Sequence, residues 1–222
     1  MQEPFSYQLG EKVSTLLKHN VEGHVHFDPY TRGRYSTDAS IYQIAPFGVV
    51  VPKTTQDLVS AVEIAAEHNI PILSRGGGTS QCGQTVNEAI VIDCSQYLNK
   101  IVNFDYENMR ISVEPGIVLD HLNSYLKPHN LFFPVDISTA SRATIGGMTA
   151  NNSCGGRSIR YGIMVDNVHS IDALLINGEH ARFSDTPSDI RHIDGTKHYR
   201  QLVSSVREIA EREMSELETY FP

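Results

Sequence analysis

The chain of 222 residues has no tryptophan and only three cysteines. The missing tryptophan excludes nothing. Cys82, Cys94 and Cys154 are odd in number and widely spaced, which predicts reduced thiols in a cytoplasmic protein and not a disulfide framework. No C-x-x-C pair offers a metal or cluster site. No apolar run approaches the roughly 20 residues of a membrane span. The opening text MQEPFSYQLGEK lacks the basic-then-apolar order of a secretory signal. A net charge of −8 without a basic stripe argues against nucleic-acid binding. It leaves room for a membrane only as a peripheral surface. Internal repeats and low-complexity stretches are absent.

What remains is ordinary globular material, 40% hydrophobic and 20% charged, long enough for one large domain or two small lobes. Residues 1–45 read as a lead-in, with a helix around EKVSTLLKHN and an irregular segment over 23–45. His19, His24 and His26 lie close together in it, but no carboxylate or cysteine completes a ligand set, so they read as surface histidines and no metal site is assigned. From Pro46 the pattern sharpens. GVVVP is a β-branched strand. Thr54 and Asp57 have capping-box spacing, and Leu58, Ala61, Val62, Ala65 and Ala66 then mark one helical face. IPILS and AIVIDCS are further strands. RISVE alternates as a strand and PG ends it. IVLDHLNSYLKPHN has helical spacing. HSIDALLINGEHARFS reads as a tight hairpin about Asn177-Gly178. Leu202, Val206, Ile209, Ala210 and Leu217 mark a closing amphipathic helix.

Two polar stretches carry chemistry. LSRGGGTSQCGQ follows a strand and places Gly76, Gly77, Gly78, Thr79 and Ser80 behind Arg75. Three consecutive glycines are costly to order. They suit a backbone whose N–H groups face an anion, the alternative being a plain turn. No Gly-Lys-Ser/Thr ending makes it a P-loop, and no G-x-G-x-x-G opens a helix. The second stretch, DISTASRATIGGMTANNSCGGRSIRYG over 136–162, reads as one long loop of glycine pairs and short polar side chains. A loop of that length is uncommon in a compact domain unless it binds something. Together they suit a flat, hydrogen-bonding ligand with a phosphate tail.

SRGGGTSQCGQ resembles the pyrophosphate loop of the flavin-binding domain of the vanillyl-alcohol oxidase and p-cresol methylhydroxylase superfamily. The texts YSTDAS, VEPGIVLDHLN, STASRATIGGM and NNSCGGRSIRYG are similar to its D-lactate, glycolate and D-2-hydroxyglutarate dehydrogenase branch, the large FAD-linked oxidoreductases with an iron–sulfur portion. The resemblance implies an α+β, two-lobed fold with FAD between the lobes, lobe one over 46–105 and lobe two over 106–222 with a mostly antiparallel sheet. It implies that Arg75, Gly76, Gly77, Gly78, Thr79 and Ser80 wrap the pyrophosphate. Ser138, Thr139, Thr144, Gly146, Gly147, Asn151, Asn152 and Ser153 would line the isoalloxazine and ribityl region, and Gly162, Asn167 and Val168 the adenine end or cofactor edge. Relatives with protein-linked flavin carry histidine where this chain has Thr79, which implies non-covalent FAD; a link through Cys154 is the alternative.

The resemblance further implies oxidation of a small 2-hydroxy acid to a 2-oxo acid, with electrons passing to an unnamed acceptor. The substrate cap and iron–sulfur cysteines are expected beyond Pro222, so the chain reads as an N-terminal fragment without a catalytic base. Arg34, Tyr161 and His169 read as structural. Other readings are a different FAD-dependent oxidase or reductase of the same fold, or a non-catalytic nucleotide-binding module.

Overall fold

The computed structural model describes residues 6–221. They divide into two compact units, one running to Val168 and including Ile176–Gly178, the other comprising His169–Leu175 and the chain from Glu179 onward.

The first unit opens with helix α1 (Tyr7–Asn20), capped by the Ser6 hydroxyl, which accepts from the Leu9 N–H. Strand β1 (His24–His26), helix α2 (Pro29–Arg34), strand β2 (Gly48–Val51), helix α3 (Thr55–Glu67), strand β3 (Ile72–Arg75) and strand β4 (Ile90–Asp93) follow. The sheet order is β1-β2-β4-β3; β4 is parallel to both neighbours and β1 runs antiparallel to β2. Every residue of β2 and β4 is buried, as expected of central parallel strands covered on both faces. The capping box at Thr54 and Asp57 is present in both halves, a device that contributes about 1 kcal/mol. Val13 and Leu17 of α1 and Ala61 and Ala65 of α3 are buried, and the two helices pack together.

Residues 23–45, expected to be irregular, contain β1 and α2. HVH is too short and polar to read as a strand; its pairing with Val49–Val51 decides it. Asp28 caps α2 and Pro29 occupies its first turn.

Strands β5 (Ile101–Asp105) and β6 (Arg110–Val113) form a hairpin that straddles residue 105. Helix α4 (Leu119–Leu126) continues into a 3₁₀ turn, Lys127–His129. The stretch over 136–162, expected as one long loop, contains two short helices, α5 (Ile145–Ala150) and α6 (Ser158–Tyr161), with α7 (Met164–Asn167) just after. Glycine and threonine lower the intrinsic helix signal there. Burial overrides it: Ile145, Met148 and Met164 join a core with Leu119, Leu122, Leu126 and Val135.

The second unit contains β7 (Ser170–Leu174), β8 (His180–Ser184), α8 (Lys197–Arg212) and α9 (Met214–Tyr220). The hairpin turn is longer than a two-residue loop. Leu175 N–H donates to the Glu179 carbonyl at 2.9 Å, and Gly178 takes φ +80°. Within their own units β5–β6 and β7–β8 are each two-stranded and antiparallel. The closing helix is also divided, at Glu213. Tyr199 of α8 is buried with Ala181 and Ile193, while Val206 and Ile209 are 65% and 51% exposed.

Candidate functional site

β3 ends at Arg75, and the glycine loop leaves from it. None of the N–H groups of Gly76, Gly77, Gly78, Thr79 and Ser80 finds an acceptor among the described residues. Five consecutive open donors make an anion-seeking concavity. The side chains are not equally free. The Ser80 hydroxyl donates to Gln84 Oε1 at 2.7 Å and accepts from the Cys82 and Gln84 N–H groups. Thr79 makes no hydrogen bond among the described residues.

Arg75 does not present a free charge. Its Nη1 donates to the carbonyls of Tyr35 (3.2 Å) and Thr85 (3.0 Å), its Nη2 to that of Thr37 (2.7 Å). The guanidinium lies 5.3 Å from the Tyr35 ring centre. It straps residues 35–43 to the loop, and further ties reinforce the strap. Asp38 accepts from the Thr85 N–H and hydroxyl, and a β-carbon on Gly83 would fall 2.6 Å from the Tyr42 ring. Beneath it, the Tyr35 hydroxyl donates to Asp93 at 2.5 Å. Burial, then this bond, keeps the phenol protonated far above its usual range. This strap escapes sequence reasoning apart from the resemblance carried by YSTDAS.

The two polar stretches meet. A β-carbon on Gly76 would lie 2.1 Å from Thr144 Oγ1, and one on Gly77 2.3 Å from the Arg142 carbonyl oxygen. Thr144, 2% exposed, caps α5 by accepting from the Gly147 N–H. A β-carbon on Gly146 would strike Pro115 at 2.6 Å, so the Pro115-Gly116 turn forms the floor behind α5. The glycines are therefore there for backbone approach. The Ser138 and Thr139 side chains make no hydrogen bond among the described residues; their turn is closed by the Thr139 carbonyl, which accepts from Arg142 and Ala143.

Past α5 a second group gathers. The Asn151 amide donates to the Ser153 hydroxyl. Asn152, at φ +46°, accepts from the Val165 N–H. Gly162 takes φ +76° beside Asp166. The Asn167 amide donates to the Tyr161 and Ile163 carbonyls, and Val168 packs against the α4–α5 core. These residues hold the shape of the segment through contacts within it. Arg34 and Tyr161 have similar employment, Arg34 over the Tyr30 ring and Tyr161 edge-on to Phe132. His169 is exposed.

Cys82 and Cys154 are exposed and Cys94 is half-buried, all as free thiols. Burial, then the charge of Asp93, pushes Cys94 up to about 11. No described helix is long and apolar enough to cross a membrane.

The FAD binding domain family matches residues 46–184. A D-2-hydroxyglutarate dehydrogenase of Escherichia coli strain K12 is 40% identical over 147 residues, 65% of this chain and 14% of that protein. The namesake from Pseudomonas putida strain KT2440 is 33% identical over 219 residues, 96% of this chain and 22% of that protein. The chain thus spans roughly a seventh to a fifth of the length of these curated relatives. Among solved structures, alkyldihydroxyacetonephosphate synthase superposes with a TM-score of 0.69 at 20% identity, over 91% of this chain and 38% of that one. That likeness carries the fold, and with the family match it bears out the expected α+β FAD-binding architecture. With a matched region that includes both the open glycine loop and the segment it touches, the chain belongs to the FAD binding domain family.

Proposed function

We propose that the chain is the flavin-binding portion of a dehydrogenase that oxidises a D-2-hydroxy acid, of the D-2-hydroxyglutarate, D-lactate or glycolate kind, to the 2-oxo acid. The observation that carries the reading is the row of five unused amides at Gly76–Ser80, pressed against Thr144 and Arg142. That row suits a pyrophosphate because its N–H groups have no acceptor of their own, while Gly76 and Gly77 let the loop pack against Thr144 and Arg142. Thr79 and Ser80 line its mouth, and Arg75 contributes by fixing the loop. Ser138, Thr139, Thr144, Gly146, Gly147, Asn151, Asn152 and Ser153 form the wall for the ribityl and isoalloxazine region. Gly162, Asn167 and Val168 bound the adenine end or cofactor edge.

When bound, FAD would supply the hydride acceptor. The chain's own part is to bind and orient it through backbone donors, which keep their direction whatever the protonation of side chains. We assign no proton-transfer residue within the chain. The substrate class and the iron–sulfur relay are read from the resemblance, the electron acceptor is unnamed, and a cytoplasmic setting is read from Cys82, Cys94 and Cys154 as reduced thiols.

The test is the visible spectrum of the purified chain after incubation with FAD, before and after acid precipitation. Flavin bands that pass into the acid supernatant are the expected result, since Thr79 offers no linking atom. Bands retained in the pellet would move the attachment to Cys154. A chain that takes up no FAD would overturn the reading.

A further inference from the structure

The cradle of open amides lacks a cation, because the arginine next to it in sequence is already committed. Turning Arg75 outward would take its donors from the Tyr35, Thr37 and Thr85 carbonyls and release the strap. A guanidinium would add to the amides a permanent positive charge and a planar fork that bonds two phosphate oxygens at once.

We propose that Arg142 supplies that cation, as the side chain that pairs with the diphosphate of the bound dinucleotide. Its backbone is pinned at the cradle: the carbonyl lies 2.3 Å from where a Gly77 β-carbon would be, and its N–H donates to the Thr139 carbonyl at 2.9 Å. Its side chain is exposed and makes no hydrogen bond, ion pair or ring contact among the described residues. Other arginines of the first unit are occupied. Arg157 pairs with Asp136 at 3.1 Å, Arg32 donates to the Pro46 carbonyl, and Arg160 lies over the Tyr161 ring. Arg142 therefore combines a fixed root beside the anion site with an uncommitted, permanently charged head. The three-methylene stem gives that head reach without disturbing the turn that anchors it.

The assignment rests on the FAD reading above and deepens it. The experiment is a titration of the purified full chain with FAD, ADP and riboflavin at two salt concentrations, for the wild type, Arg142→Gln and Arg142→Lys. The expected result for Arg142→Gln is about a tenfold weaker affinity for FAD and for ADP, which carry the diphosphate. Its FAD affinity should also depend less on salt, with riboflavin uptake and the melting temperature of the ligand-free chain unchanged. Arg142→Lys should recover part of the loss. An Arg142→Gln chain that binds FAD with wild-type affinity and salt dependence overturns the assignment while the FAD reading stands. A wild type that binds no FAD overturns both.

Discussion

Gly76 and Thr144 stand 68 positions apart in the sequence, yet any side chain on the first would collide with the hydroxyl of the second at 2.1 Å. That hydroxyl is already in use as the cap of α5. The pair therefore couples the open amide loop to the helix that carries Gly146 and Gly147.

Gly76→Ala should consequently disturb both stretches together. The buried Thr144 side chain has no room to retreat, so destabilisation of about 1–3 kcal/mol is expected from overpacking, with loss of FAD uptake. Gly77→Ala, against the Arg142 carbonyl, should behave alike. Gly156→Ala is the control, because nothing lies within 4 Å of its added carbon. Urea unfolding and FAD titration of the three variants read both effects.

Asp57 is 2% exposed, and its carboxylate accepts from the N–H groups of Glu22, Gly23, Lys53 and Thr54. Burial pushes its pKa up, but these donors outweigh burial and hold the carboxyl below its usual range. A pKa lowered by folding stabilises the protein above the unfolded value, and the contribution is lost as pH falls through the folded one. The wild type should thus lose stability below about pH 4. Asp57→Asn should be less stable at pH 7 by about 1–3 kcal/mol and show a flatter acid limb in a melting series from pH 7 to pH 3.

Tyr35→Phe removes a donor from the buried carboxylate of Asp93, which keeps the N–H and hydroxyl of Ser95. The expected cost is about 1.5–3 kcal/mol, that of a hydrogen bond to a charged group. Because Tyr35 also underlies the strap, a weaker FAD affinity should accompany it. Chemical denaturation and flavin titration measure the two losses.

The thiols should label unequally. At pH 8 an iodoacetamide time course followed by peptide mass spectrometry should show Cys82 and Cys154 modified quickly. Cys94, raised to about 11 by burial and the neighbouring Asp93 charge, should lag by tenfold or more, since only the thiolate reacts.

Much of the fold was legible because its signals are local. The capping box at Thr54 and Asp57, the buried runs at Val49–Val51 and Ile90–Ile92, and the helical spacing in α4 all report on neighbours within a few residues. The Gly76–Ser80 loop was legible for the same reason, since three glycines in a row announce a close backbone approach whatever approaches. The sequence by itself thus determined an α+β chain with two glycine-bearing stretches suited to one phosphate-tailed ligand.

Only the tertiary structure decided the rest, and each case turns on a long-range partner. HVH became a strand because β2 had an unpaired edge. Within the 136–162 stretch α5 formed because Ile145 and Met148 had a core to enter. Arg75, which sequence places beside the phosphate, was drawn to three carbonyls of the strap, because unpaired carbonyls cost more than a solvated guanidinium gains. The same competition left Arg142 uncommitted at the cradle. Which arginine stays free depends on which acceptors the folded backbone brings within reach, and spacing along the chain does not encode that.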